Sequence, residues 1–165
     1  MSELEPPDSF HLSAAIGWMD LGNPIEARNE LRQISGRYRE NSEVLETEWR
    51  VHAALRSWDT ACEVAQRQTK VAPDHPAGWI NQSYALHELK KTQEAFDELS
   101  PLVEKFPKVS VIYYNLACYA CQLGDEEAAK KHLALAIKFR DKDEVKEMAL
   151  ADSDLKPLWE HIKSL

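Results

Sequence analysis

Glycine is scarce in this sequence, with five residues in 165. The glycine-rich phosphate-binding patterns GxGxxG and GxxxxGK[S/T] are absent, and so is the nucleophile pattern GxSxG. A chain with so little glycine suits helices better than loops that wrap a phosphate group. The scarcity argues against nucleotide-binding enzymes and against hydrolases of these classes.

Basic residues are also in deficit. Lys and Arg number 20 against 28 Asp and Glu, which gives a formal net charge of −8. Nucleic acids and anionic membrane surfaces both call for a basic patch, so we expect neither as a partner. Apolar runs fall short of the roughly 20 residues that span a bilayer. The N-terminal MSELEPPD lacks the apolar core of a secretory signal, so we expect a cytoplasmic protein.

Cysteine is limited to three residues, an odd number that suits a reducing compartment better than a disulfide framework. Cys118 and Cys121 form a CxxC, a spacing that elsewhere supports redox or zinc chemistry. Here the pair lies in a predicted helix, without a second CxxC or a histidine pair at ligand spacing. We expect packing side chains, no metal and no cofactor. A redox or zinc protein remains the least favoured alternative.

Helical periodicity is what the chain has in abundance. Residues 110–143 predict a helix, a turn at Gly124-Asp125 and a second helix. Such a hairpin cannot bury its apolar side alone and needs neighbours of the same shape. The two apolar faces comprise Tyr113, Leu116 and Ala117 in the first helix, and Ala129, Leu133 and Ala136 in the second.

The same pattern recurs upstream with a period of 34 residues, starting at 76, 42 and 8. The small residue Ala129 then aligns with Ala95, Ala61 and Ala27, and prolines end two of the repeats at 73 and 107. Residues 8–143 therefore resemble the tetratricopeptide repeat (TPR) family, with repeats at 8–41, 42–75, 76–109 and 110–143. The second repeat departs most from the family pattern, since it has Glu48 and Trp49 where Leu and a small residue are usual.

The resemblance implies an all-α fold, a right-handed α-solenoid of helix-turn-helix repeats. We expect a disordered leader at 1–7 and one TPR domain at 8–165 that ends in capping helices, 144–165. Pro101 predicts a kink or break near Ser100. The last helix has an apolar face that suits a cap, although it could instead dock into the groove of the same or another molecule. This face comprises Leu155, Leu158, Trp159 and Ile162.

The resemblance also implies a binding groove. In TPR proteins the first helix of each repeat, the A helix, lines the concave face, and ligands contact side chains at fixed offsets. We expect no catalytic, cofactor or metal residues there, and each candidate could instead pack between neighbouring A helices. The groove candidates are Arg50, Ile80, Asn81, Tyr84, His87, Tyr114, Asn115, Cys118, Cys121 and Gln122.

These residues favour a non-enzymatic protein–protein interaction module or scaffold. The aromatic and apolar candidates suit a peptide or amphipathic helix with apolar anchors. Glu43 and Glu46 add a preference for basic flanks. The cations that hold the acidic C-termini of chaperones in some TPR proteins are missing, so such partners are not expected. The alternative is a structural homodimer formed through the groove or the C-terminal helix.

Overall fold

The structure, a computed structural model, describes residues 3–165, and the regular elements in that range are helical. The chain divides into two compact units, Met1–Ala85 and Leu86–Leu165. The first unit contains α1 (Asp8–Asp20), α2 (Pro24–Gln33), a 3-10 turn (Gly36–Tyr38), α3 (Ser42–Ala54), α4 (Trp58–Val71) and most of α5 (Pro76–Glu88).

Helix hairpins build the first unit. Gly22 has a positive φ of 72° in the turn between α1 and α2, and the Asn23 side chain caps α2 by accepting from the Glu26 amide. The cap of α3 is Asn41, whose side chain accepts from the Glu43 amide at 2.9 Å. The core comprises Leu12, Ala15, Ala27, Leu31, Ile34, Tyr38, Val44 and Val51.

The start of the first unit is tied to its core. Of the predicted leader, residues 1 and 2 lie outside the described residues, whereas Leu4 packs against the core. The Asp8 carboxylate accepts hydrogen bonds from the Ser35 amide at 2.6 Å and the Ser35 hydroxyl at 2.9 Å. These bonds, the amide first, lower the pKa of Asp8. This charged contact fixes the beginning of α1 against the 3-10 turn.

The second unit combines two 13-residue helices with several shorter ones. It contains α6 (Thr92–Leu99), α7 (Leu102–Lys105), α8 (Ser110–Gln122), α9 (Glu126–Lys138), α10 (Lys142–Ala151), a 3-10 segment (Ser153–Leu158) and α11 (Trp159–Ser164). The predicted break at Pro101 is confirmed, because α6 ends at Leu99 and α7 begins at Leu102. Helices α8 and α9 form a closely packed hairpin in which Leu116 and Ala129 are fully buried.

The C-terminus differs from the single last helix that the sequence predicted. Pro157 lacks an amide donor, and residues 153–158 form a 3-10 segment before α11 begins. The predicted apolar face is buried all the same: Leu155, Leu158 and Ile162 are at most 1% exposed. Trp159 is half-buried and its indole N–H donates to the Ala149 carbonyl at 3.1 Å. The number and boundaries of the repeats stay a prediction.

Candidate functional site

The first unit has an open cavity of about 640 Å³ on the side where its A helices α1, α3 and α5 lie. Its apolar lining comprises Ile16, Leu45, Ala72, Ala77 and Gly78, and its polar lining comprises Ser42, Glu43, Glu46, Thr47, Arg50, Gln68 and His75. We call this cavity the first-unit groove. Of these lining residues, the sequence analysis singled out Glu43, Glu46 and Arg50. Gln68, Ala72 and His75 come from the end of α4 and the loop after it, which the sequence analysis did not consider.

Glycine is needed at position 78 on the groove wall. A Cβ there would lie 2.8 Å from the backbone nitrogen of Thr69 and 2.9 Å from Cβ of Gln68. Both distances are shorter than side-chain carbons tolerate, so α5 approaches α4 this closely only because residue 78 has no side chain. This close approach sets the spacing of the groove wall.

A hydrogen-bond network supports the polar part of the groove. The Gln68 amide donates to Glu46 Oε2 at 2.9 Å, and Asn81 Nδ2 donates to Gln68 Oε1 at 2.9 Å and to Glu46 at 3.3 Å. Asn81 is buried, so it acts as a support behind the wall and not as the accessible groove residue that was predicted. The arrangement leaves a negatively charged carboxylate at Glu46 facing the cavity.

Arg50 is the predicted site residue that does line the first-unit groove. Its side chain is exposed, and one guanidinium nitrogen lies 3.7 Å from Asp20 Oδ1. Ile80 is half-buried further along α5. Tyr84 is 38% exposed and makes edge-on ring contacts with Trp49 and Trp58, with centroid distances of 6.3 and 5.6 Å.

The second unit places the remaining candidates differently. Tyr114, Cys118 and Cys121 are buried, which corrects the expectation that they line an open groove. The Tyr114 hydroxyl donates to Asp152 Oδ2 at 3.0 Å, and the Cys118 thiol donates to the same oxygen at 3.5 Å. The turn that contains Asp152 therefore lies over the A-helix face that the sequence predicted to be open.

Two more candidates contact the same turn. The His87 ring is buried, with Nε2 2.8 Å from Asp154 Oδ2 and Nδ1 3.0 Å from the Thr92 hydroxyl. Gln122 is exposed, and its amide donates to the Asp154 carbonyl at 2.8 Å. We call residues 152–154 the covering turn. The sequence analysis did not predict this role.

Asn115 lies outside this cover. It is half-buried and lines a smaller cavity of about 120 Å³, together with Arg140 and Met148. This volume holds a few water molecules and is too small for a peptide side chain with its backbone. Asn115 is therefore a weaker binding candidate than Arg50.

The two thiols of the CxxC have raised pKa values. Burial is the main cause that raises the pKa of Cys118 and of Cys121, and the nearby carboxylates of the covering turn raise both further. Thiols held protonated are poor nucleophiles and poor metal ligands. Within residues 3–165, no group of three or more His, Cys, Asp or Glu side chains is arranged to hold a metal ion. The geometry gives no support to the redox or zinc alternative.

Comparison with protein families and with curated proteins identifies no relative: no family model and no curated sequence matches this chain. Solved structures do match. The chain superposes on TTC0263, described as a thermophilic TPR protein in Thermus thermophilus, with a TM-score of 0.76 and 17% identity over 94% of this chain and 82% of that one. The chain has a TPR-like fold.

Two further structures support this TPR-like fold. "MamA 41-end" from Desulfovibrio magneticus RS-1 matches with a TM-score of 0.73 and 20% identity, covering 98% of this chain and 94% of that one. A second MamA crystal structure gives a TM-score of 0.72 and 14% identity over 83% and 80% of the two chains. The predicted all-α class and repeat-type solenoid fold are confirmed. At these identities the likeness concerns the fold alone.

Proposed function

We propose that this chain is a non-enzymatic protein-interaction module that binds a peptide or helical segment of a partner in the first-unit groove. The observation that supports this most is the open cavity of about 640 Å³, lined from three helices and from the end of a fourth. Its size is in the range of pockets that hold a ligand, and it is large enough for apolar side chains of a partner. On the A-helix face of α8 in the second unit, Asp152 of the covering turn instead contacts Tyr114 and Cys118.

The lining suggests the chemistry of the partner. Ile16, Leu45 and Ala77 supply apolar surface for an anchoring side chain, while Glu43 and Glu46 supply negative charge. Together with the net charge of −8, these carboxylates favour basic residues beside the anchor. Arg50 is the only Lys or Arg of the described lining, and it already lies near Asp20. The groove therefore suits acidic chaperone tails poorly.

We also propose that the protein is cytoplasmic. The support is that Cys62, Cys118 and Cys121 are all thiols in the structure, as is usual in a reducing compartment. In the described part of the chain, no helix is both long and apolar enough to cross a bilayer.

The test is selection of binders from a random displayed peptide library, followed by titration of the selected peptides by calorimetry. Ala77→Trp fills the first-unit groove, so we expect it to weaken binding by at least about tenfold. Ala134→Trp is the matched control, because Ala134 is exposed on α9 in the second unit. Equal affinities for both variants and the wild type would contradict the proposal, as would a library that yields no binder.

The charge preference is tested separately with Glu43→Lys, since Glu43 is exposed at the groove. We expect selected peptides to carry Lys or Arg beside an apolar residue, and their affinity for this variant to fall more steeply at low than at high salt. A loss of affinity that does not depend on salt would refute electrostatic recognition while leaving the groove as the binding site.

A further inference from the structure

Helix α1 is apolar on two opposite sides. One side buries Leu12 and Ala15 in the core of the first unit. The other side has Phe10, the half-buried Ala14 and Gly17 in the helix, and Leu21 at its C-cap. These four follow the spacing i, i+4, i+7, i+11 and so form one line along the helix. We call this line the outward stripe. Phe10 is 67% exposed and Leu21 is 76% exposed, and exposed apolar surface of this kind marks interaction sites.

The outward stripe is self-complementary. If a second α1 packs antiparallel across a two-fold axis midway along the stripe, residue numbers that sum to 31 face each other. Phe10 then meets Leu21 of the second copy, and Ala14 meets Gly17 of the second copy. Each of these pairs then occurs twice, as in any isologous contact, where both copies use the same surface. The large residues lie at both ends of the stripe and the small ones in the middle. We propose that the outward stripe is the interface of a homodimer.

The centre of the stripe permits close packing of the two helices. A Cβ at Gly17 would meet nothing within 4 Å in its own chain, so the surface there is open. Glycine facing alanine lets two helix backbones approach to the short end of the usual 8–10 Å separation. At that separation, each Phe10 ring can lie along the Leu21 side chain of the other copy.

Charge favours this face over the rest of the surface. Two copies with a net charge of −8 each repel one another, and the outward stripe contains no charged residue. Carboxylates near its edges already have partners within their own chain: Asp20 lies 3.7 Å from Arg50, and Glu30 lies 2.8 Å from the His11 ring. The four residues of the stripe therefore bring no charge of their own into the contact.

The available area is adequate for the core of a dimer interface. Ile25, at the start of α2 and four residues after Leu21 in sequence, is a further apolar residue that is 53% exposed. Phe10, Leu21 and Ile25 together expose apolar surface on the order of 350 Å², comparable with the largest patch on a typical monomer. A standard interface buries about 800 Å² per partner, so polar neighbours such as Ser13 and Glu26 supply the rim.

The test is the mass of the full chain by multi-angle light scattering and sedimentation between about 1 and 100 µM. We expect the wild type to approach twice its chain mass of 18.9 kDa. Gly17→Gln places a side chain at the centre of the stripe without a clash in its own fold, and Phe10→Ser removes one end. Each should weaken the dimer by at least about tenfold, with an unchanged circular dichroism spectrum. Leu135→Gln, an exposed apolar residue of α9, is the control that should keep the dimer.

Salt provides a second readout. Because the copies repel and the stripe is uncharged, raising the salt concentration should strengthen the dimer. A wild-type mass of one chain at 100 µM would overturn the proposal, and so would a dimer that survives Gly17→Gln or is lost in Leu135→Gln. Ala77→Trp should keep the dimer, so failure of this interface and failure of groove binding are separate results.

Discussion

The same repeat position is exposed in the first unit and buried in the second. Ile16, Arg50, Tyr84 and Cys118 occupy one column of the 34-residue register, the ninth position of each predicted repeat. The first three are exposed, whereas Cys118 is 5% exposed. The difference arises from the C-terminal part of the chain, because the covering turn contacts α8 of the second unit. The position of a residue within the repeat therefore predicts which way its side chain points, but not whether solvent can reach it.

The polar side chains of the two units also differ in accessibility. In the first unit, Glu43 and Arg50 face an open cavity. In the second unit, Tyr114, Cys118 and His87 already contact the carboxylates of the covering turn. The polar groups of the first-unit groove therefore face open space, while those of the second unit are satisfied by their own chain.

The largest effect should come from Leu155→Ala, which removes a fully buried anchor of the covering turn. We expect the free energy of unfolding to fall by about 2–5 kcal/mol, the usual cost of such a truncation in a core. Urea unfolding followed by circular dichroism measures this, and Lys156→Ala, at an exposed neighbour, should change it by less than about 0.5 kcal/mol. Similar losses in both variants would show that the turn is not anchored through its apolar side.

Asp152→Asn should have the next largest effect. It removes the charged acceptor shared by the Tyr114 hydroxyl and the Cys118 thiol, and we expect a loss of about 1–3 kcal/mol. Because the Asp152 carboxylate helps to raise the pKa of Cys118, its loss lowers that pKa and speeds alkylation of the thiol at fixed pH. Mass spectrometry after iodoacetamide treatment measures the rate. Slower or unchanged alkylation would contradict this electrostatic role.

Gly78→Ala tests the groove wall of the first unit. The added Cβ meets the backbone of Thr69, so we expect a loss of about 1–2 kcal/mol despite the better helix propensity of alanine. Gly17→Ala is the matched control within a helix, where the Cβ has free space and a gain of up to about 1 kcal/mol is expected. Both are measured by urea unfolding at low protein concentration. If both variants changed the free energy of unfolding in the same direction, α4 and α5 would not be closely packed at residue 78.

The smallest effect concerns acid stability of the first unit. The pKa of Asp8 is lowered by its hydrogen bonds to Ser35, so its contribution is present above its unfolded pKa of about 3.9 and is lost as the pH falls through the folded value. Urea midpoints between pH 5 and pH 2 should therefore fall less steeply in Asp8→Asn than in the wild type. Asp59→Asn, at an exposed position on α4, should follow the wild-type curve. Parallel curves for all three chains would contradict the role of Asp8.

Much of the fold could be predicted because local rules decide it. The turn at Gly22, the cap at Asn23 and the break at Pro101 each follow from one residue type in one backbone setting. Asn41 and Ser42 are both good N-caps by residue type, and the structure shows that Asn41 caps α3. The 3-10 segment around Pro157 could have been anticipated from the missing amide donor.

The candidate site was less predictable, because accessibility depends on contacts between residues far apart in the sequence. Tyr114 and Asp152 are 38 positions apart, and no local pattern links them. The sequence placed Arg50 and Cys118 at equivalent positions, but only the packed structure shows that one is open and the other covered. The covering turn contains acidic residues, but acidic residues are typical of any helix start and so do not point to a covering role.

The most direct test compares thiol accessibility at that one register position in the two units. Arg50→Cys places a thiol at the first-unit groove, and Cys118 is its native counterpart in the second unit. Alkylation of each is followed by mass spectrometry in native buffer, with complete labelling in urea as the reference. We expect the introduced thiol to react at least about tenfold faster than Cys118, because burial both shields Cys118 and raises its pKa. Equal rates in the folded protein would show that the second-unit face is as open as the first, and would contradict the account.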